Sequence, residues 1–392
     1  MTRRPVSDHR RAITHAFAEL VGTETVPLTE AHRRVLTSDV LASAPMPAFD
    51  NSAMDGFAVR AADVEVDVPL PVATRIFAGD TDPTPLPSGS AAAIMTGAPV
   101  PAGADAVVPV EQSVERDGHV RLQVQPDVGA FVRRRAADVA AGALVVAGAT
   151  VLTPRHLAAL AATGTGTVEV FRRPRVAVVS TGSELVPPGA PLAYGQVYES
   201  NSIILATLCA AHGAEVTFSG SSGDGGDFAA TLDAAVEHAD IVLTSGGVSM
   251  GEREPVRDLL SDAGWFGPIA MQPGGPQGFT VWRGVPVVSL PGNPVSVMVS
   301  FEVLVRNGLR AAGGLAPIDP TSAPLASAVT SIAGRTQFLR GFLRADGVVE
   351  VVGGPGSHLV ATAANANVLI EIDSAAVHLA AGQEVPTWPL TP

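Results

Sequence analysis

"VPVVSLPGNPVSV", residues 285–297, decides the fold. The run Val285–Leu290 is short and uniformly apolar, so it reads as a strand buried on both faces. Helix-like periodicity begins near Val295. Strand passes to helix through Pro291-Gly292-Asn293-Pro294, and each proline ring fixes φ, which makes the corner rigid.

The same alternation extends upstream. The pattern predicts a strand at 175–180, a helix at about 202–211, a strand at 215–219, a helix at 227–238, a strand at 240–244 and a helix at 254–263. Strand-like pieces follow around 268–282, then the strand 285–290 and a helix over 295–311. Strands "VAVVS" and "IVLT" are as apolar as "VPVVSL", as expected of a mostly parallel sheet covered by helices on both faces.

The flanks differ. Residues 8–20 predict an amphipathic helix, a second helical stretch is expected after Thr29, and "TPRHLAALAATG" (153–164) is a punctuated helix with Thr153 as cap. Residues 46–138 are rich in Pro, Gly and Val, with strand-like runs "FAVR", "AAAIM" and "DAVVPV". Residues 317–392 lose the helices, and "GFLRADGVVEVVGG" reads as a hairpin. The expected domains are 1–45 with 139–173 (helical and linker), 46–138 (β-rich insertion), 174–316 (α/β) and 317–392 (small β domain).

Four predicted strand ends carry small, turn-rich loops: "STGSEL" (180–185), "SGSSGDGGD" (219–227), "TSGGVSMGERE" (244–254) and "SLPGNP" (289–294). In an open parallel sheet these leave one edge, where ligands bind. One such loop is equally a tight turn before a helix. Four together point to an anion, held by backbone N–H groups and helix termini. The same loops hold Glu184, Asp224, Asp227, Glu252 and Glu254, which would repel an anion unless a hard cation intervened. Mg²⁺ suits carboxylates plus phosphate oxygens. Asp227 reads better as a helix cap; Glu184 and Asp224, inside Gly-rich loops, read as metal ligands.

Composition narrows the partners. Net charge is −13 over 392 residues, which disfavours nucleic acid and anionic membrane. All 25 basic residues are arginine, so no lysine ammonium is available. The single cysteine, Cys209, excludes an internal disulfide and reads as a small core residue. The nine scattered histidines read as surface or capping residues. Neither a signal peptide nor a run of membrane-spanning length is visible, so a cytoplasmic location is expected.

The ordered set "FDNSAMDGFAVR", "IMTGAPVP", "STGSEL", "TSGGVSMGE", "LPGNPVS" and "GPGSHLVATAANANVLIEI" resembles the molybdopterin molybdenumtransferase (MoeA-type) family, itself related to the C-terminal part of gephyrin. The resemblance covers nearly the whole chain. It implies an elongated homodimer of four-domain subunits, with an inserted β-rich domain, an α/β domain like that of molybdopterin adenylyltransferases and a C-terminal small β-barrel. The implied enzyme inserts molybdate into adenylylated molybdopterin with Mg²⁺ help and releases AMP. Molybdopterin adenylyltransferase and acceptor molybdoenzymes are the implied protein partners.

Carried onto this chain, the resemblance makes Asp55, Thr96, Glu184 and Asp224 the functional positions, with Glu184, Asp224 and Glu254 toward the metal. Ser245, Gly246, Gly247, Ser249, Pro291, Gly292, Asn293 and Pro294 line the pterin-phosphate pocket, whose backbone the two prolines hold in one shape. Arg133 and Arg135 are candidate phosphate or oxyanion contacts, though a solvated basic turn explains them equally. The sulfur nucleophiles belong to the pterin, so no protein Cys or Ser nucleophile is needed.

Three places depart from the family pattern. "QPGGPQG" (272–278) has Gly275 where the family carries lysine in PGKP. Glu254 replaces an aspartate. "GAFVRRRAAD" (129–138) stands for GxNxRxxGED, with Phe131, Ala136 and Ala137 in place of a polar residue, a glycine and an acid. These leave a second possibility, a catalytically impaired paralogue that binds molybdopterin or acts as a scaffold.

Overall fold

The computed structural model describes residues 3–222, 228–249, 251 and 254–390. They form two compact units, residues 25–169 and residues 1–24 with 170–392.

Helix α1 (Val6–Ala18) belongs to the second of these and buries Val6, His9, Ile13 and Phe17 on one face. The unit of residues 25–169 is built on six strands: β1 (Gly56–Val59), β2 (Pro69–Ile76), β3 (Ala91–Ile94), β4 (Ala106–Pro109), β5 (Ser113–Arg116) and β6 (His119–Leu122). They lie in the order β4-β1-β3-β2-β6-β5. Apolar clusters cover both faces, one around Phe57, Val59 and Val108, the other around Ala58, Ile76 and Val107. Helix α2 (Pro154–Ala162) begins at the expected Thr153. The helix expected after Thr29 is a single 3-10 turn, Leu28–Glu30. Arg33 takes φ +62°, a left-handed backbone that a right-handed helix does not include.

Downstream come β7 (Arg175–Thr181), α3 (Asn201–Ala211), β8 (Glu215–Ser222), α4 (Phe228–Val236), β9 (Ile241–Ser245), α5 (Pro255–Leu260), β10 (Gly264–Pro268), β11 (Pro276–Trp282) and β12 (Val285–Leu290). The sheet order is β8-β7-β9-β12-β11-β10. The first four strands are parallel, and β11 and β10 add antiparallel at one edge. Alternate residues face opposite layers, as the period of a strand demands. Val176, Val178, Ile241, Leu243, Val288 and Leu290 pack with Ile13, Phe17, Leu205 and Leu309; Ala177, Val179, Val242 and Val287 pack with Phe228, Leu232, Val256 and Leu260. Both faces are therefore covered.

After Pro294 the chain stays helical to Ala312, as α6 (Pro294–Ser300) and α7 (Arg306–Ala312) joined by a π-helical turn, Phe301–Val305. That turn carries Glu302, whose carboxylate accepts from buried Arg306 Nη1 at 2.5 Å. Arg306 Nη1 also donates to the Pro389 carbonyl at 2.6 Å.

The C-terminal strands are β13 (Thr321–Pro324), β14 (Thr336–Leu343), β15 (Val349–Val351), β16 (Val368–Ile372) and β17 (Glu384–Pro389). They run β15-β14-β16-β17-β13. A bridge between Leu325 and Val349 closes the ring, making a small barrel around Leu339, Val349, Ile370 and Val385. The hairpin read in "GFLRADGVVEVVGG" is β14–β15. One short helix, α8 (Val360–Ala363), interrupts a segment expected to be helix-free.

His9 corrects the expectation that the histidines are surface or capping residues, while His212 caps α3 as that expectation allows but is buried. His9 is buried as well. His9 lies on the apolar face of α1 with its ring 4.9 Å from that of Trp265, and neither ring nitrogen has a hydrogen-bond partner among the described residues. His212 stacks on Phe301 at 5.8 Å, and Arg310 Nη1 lies 3.3 Å from its Nδ1. Cys209 is buried as expected, and burial pushes its thiol pKa up.

Candidate functional site

Because β7, β8, β9 and β12 are parallel, the loops after them leave one edge of the sheet. The chain goes from β7 to its neighbour β8, then crosses back over β7 to β9. That reversal opens the crevice in which α/β sheets bind ligands. A cavity of about 1210 Å³ lies there, lined by residues from the loops after β7, β9 and β12, from 272–276 and from the barrel loop 355–358.

The glycines are what let these loops approach each other. Gly246 has φ +86° and Gly247 +66°, the left-handed region that favours glycine. A Cβ at Gly246 would lie 2.6 Å from the Thr181 carbonyl, and one at Gly292 would lie 3.5 Å from Gly246 Cα. Gly246 N–H donates to the Leu290 carbonyl at 3.1 Å, tying the β9 loop to the proline corner. The corner is braced twice more. Asn201 Nδ2, at the start of α3, donates to the Gly292 carbonyl at 2.8 Å, and Asn293 Nδ2 donates to Ser357 Oγ at 3.0 Å.

Glu184, Gly246, Gly247, Ser249, Glu254, Pro291, Gly292, Asn293 and Pro294 all line this cavity. Ser245 does not. It is the buried last residue of β9, its Oγ 3.1 Å from Ser180 Oγ. Glu184 is exposed, and its carboxylate folds over Gly182, where a Cβ would meet both oxygens at 2.7 Å. Glu254 is used differently: its oxygens accept from Ser249 N–H at 2.8 Å and Gly251 N–H at 3.1 Å. The methylene that distinguishes it from aspartate lets the carboxylate reach back and close its own loop. Asp224, with Asp227 and Glu252, lies outside the described residues.

For a magnesium ion the described residues supply one open carboxylate, Glu184. No group of three His, Cys, Asp or Glu able to hold a metal occurs among them. One or two carboxylates plus ligand phosphate oxygens is the habit of Mg²⁺, so this donor set would fit an ion held mainly by a phosphate-bearing ligand.

Asp55 and Thr96 belong to the unit of residues 25–169, where the structure places them together. Thr96 N–H and Oγ1 donate to Asp55 Oδ1 at 2.6 and 2.8 Å. Those two hydrogen bonds hold the Asp55 carboxyl below the usual range. Asp55 opens onto a second cavity of about 300 Å³ with Phe77, Met95 and Val110 on its walls. Arg133 and Arg135 are exposed in the same unit. The turn that carries them is held by Asp50, which accepts from Arg134 Nη1 and Arg135 N–H, each at 2.7 Å.

Tyr198, Asn201, Ser357 and His358 are among the residues of the main cavity that had no role in the sequence reading. Tyr198 and Asn201 sit in "VYESN", just ahead of the helix expected at about 202–211. Ser357 and His358 sit in the quoted "GPGSH", whose Gly-Pro-Gly context was the available signal.

Comparison with known proteins agrees with this geometry. Residues 4–164 match the MoeA N-terminal region (domains I and II), 177–311 a probable molybdopterin-binding domain, and 322–390 the MoeA C-terminal region (domain IV). Molybdopterin molybdenumtransferase 2 of Mycobacterium tuberculosis is 44% identical over 99% of this chain and 100% of its own length. The chain belongs to the molybdopterin molybdenumtransferase (MoeA) family. The Haemophilus influenzae transferase of this family is 37% identical over 94% of both chains. The crystal structure of a MoeA protein from Pyrococcus horikoshii superposes with a TM-score of 0.82 at 31% identity, over 99% of each chain. The family is one of transferases in molybdenum cofactor biosynthesis. No helix among the described residues is long and apolar enough to cross a membrane.

Proposed function

We propose that this chain transfers molybdenum to the pterin: molybdate and adenylylated molybdopterin bind, the metal enters the dithiolene and AMP leaves. The observation that supports this best is the crevice at the carboxyl edge of β7, β9 and β12, in a chain alike over its full length to named molybdenumtransferases. The proposal includes the four-domain division 1–45 with 139–173, 46–138, 174–316 and 317–392, a homodimer and a cytoplasmic location.

Both substrates are anions, so the chain's task is positioning and charge balance. Gly246, Gly247 and Gly292 present bare backbone, against which a pyrophosphate can lie without meeting a Cβ. Pro291 and Pro294 keep that backbone in one shape, with Asn201 and Asn293 bracing it. Glu184, with Asp224 of the same loop edge, would hold Mg²⁺, which when bound neutralises phosphate charge and favours departure of AMP. Asp55, kept ionised by Thr96, is a second fixed carboxylate. Its low proton affinity suits it to orient a donor rather than to supply a proton.

The test is direct. Incubated with adenylylated molybdopterin, Mg²⁺ and molybdate, the protein should release AMP in a molybdate-dependent manner. Gly275 in place of the family's lysine favours a second reading, a pterin-binding paralogue. Tight pterin-nucleotide binding without molybdate-dependent AMP release would select it.

A further inference from the structure

The crevice carries one ring that nothing above uses. Tyr198 lies on its wall, 46% exposed. The backbone on either side of it is anchored. Val197 N–H donates to the Glu184 carbonyl at 3.0 Å, and Glu199 N–H donates to the Val186 carbonyl at 2.8 Å. These bonds join two short parallel strands, Leu185–Val186 and Val197–Tyr198. Next along the chain, the buried Glu199 carboxylate accepts from Ser180 Oγ and Ser202 N–H, each at 2.9 Å. The Tyr198 hydroxyl has no hydrogen-bond partner among the described residues. Leu185 and Val197 share its wall of the cavity. Among the described residues that line the cavity, Tyr198 carries the one six-membered aromatic ring; the other aromatic ring is the imidazole of His358.

A half-exposed ring on a pinned backbone contributes little to folding, because much of its apolar face stays in water. It is well suited to stacking, since a flat face is offered by a side chain with few bonds to immobilise. We infer that Tyr198 stacks on a planar heterocycle of the pterin nucleotide. The wall of Leu185, Val197 and Tyr198 is then the heterocycle end of the crevice, and the glycine loops are its anion end. The inference rests on the proposed function, which supplies the ligand class.

Two probes separate the two heterocycles: AMP carries the adenine, and pterin-6-carboxylate carries the pterin. Their affinities are measured by titration calorimetry for the wild type, Tyr198→Phe and Tyr198→Ala, with thermal melts to confirm that each variant folds. Tyr198→Ala should weaken one probe about tenfold while Tyr198→Phe stays within about twofold of the wild type, as for stacking on other aromatic platforms. The probe that responds identifies the ring. In turnover, Tyr198→Ala should raise KM for adenylylated molybdopterin with kcat little changed, and Tyr198→Phe should restore KM. Unchanged affinity for both probes in Tyr198→Ala overturns the inference, as does failure of both probes to bind the wild type. Absence of AMP release by the wild type counts against the proposed function alone, because the probe affinities still decide Tyr198.

Discussion

At the scale of single residues, the departures from the family pattern have physical consequences. Phe131 and Ala136 adopt φ +51° and +63°, in the left-handed region that the family's Asn and Gly tolerate better. Ala136→Gly should stabilise the unit of residues 25–169 by about 0.5–1 kcal/mol, relief of strain outweighing the entropy of glycine in the unfolded chain. Chemical denaturation checks this, and a lower midpoint would refute it. Gly275 is a different case. A Cβ there would meet nothing nearer than the Met271 carbonyl at 3.8 Å, so a side chain fits. Gly275→Lys should fold normally and tighten molybdate binding, measured by calorimetry; unchanged affinity would show that this position does not face the oxyanion. Both departures were visible as letters, but only the backbone angles and the empty space around Gly275 show which one carries strain.

At the scale of elements, α1 offers a pH-dependent test. Burial first, and the Arg4 guanidinium second, lower the His9 pKa to about 3. Burial, then Arg306 and Arg310, lower His212 to about 4. Both folded-state values lie below the ordinary 6.5, so neutral imidazole is what the fold accommodates. The stability from each is fully present above about pH 6.5 and is lost as pH falls toward its folded value. Each pH unit in that window removes about 1 kcal/mol per histidine. His9→Phe keeps a ring against Trp265 and should flatten the acid limb of melting temperature between about pH 6.5 and pH 4. An unchanged limb would contradict the burial argument. The sequence reading placed α1 within two residues but missed His9, because a histidine at helical spacing among apolar residues reads as polar. Strands β7, β9 and β12 were legible for the opposite reason, their central runs 176–179, 241–243 and 285–288 being apolar. The helix expected after Thr29 is interrupted at Arg33, whose φ of +62° is left-handed, and α8 is too short to show an apolar stripe.

At the scale of the whole molecule, the βα alternation from Arg175 made the parallel sheet legible, and with it the edge on which the loops gather. The Asp-Gly turn in "GFLRADGVVEVVGG" made one barrel hairpin legible. Ring closure rests on a single bridge, Leu325 to Val349, between residues that no local pattern pairs. The site was legible where it depends on glycine and proline, at Gly246, Gly247 and the Pro291–Pro294 corner. It was not legible where separate segments meet, as with Asn201 on Gly292 and Ser357 on Asn293. These contacts predict that Asn201→Ala frees the corner. Its effect should fall on KM for the pterin nucleotide more than on thermal stability, where one lost hydrogen bond is worth about 1 kcal/mol. A large fall in melting temperature with KM unchanged would reverse that assignment.

In the proposed function, the crevice between the β9 loop and the proline corner holds the nucleotide end of the substrate. A crystal of this protein soaked with AMP and Mg²⁺ tests it most directly. Phosphate density is expected against Gly246, Gly247 and Gly292, with a cation beside Glu184. Nucleotide density elsewhere, with this crevice empty of both phosphate and ion, would contradict it.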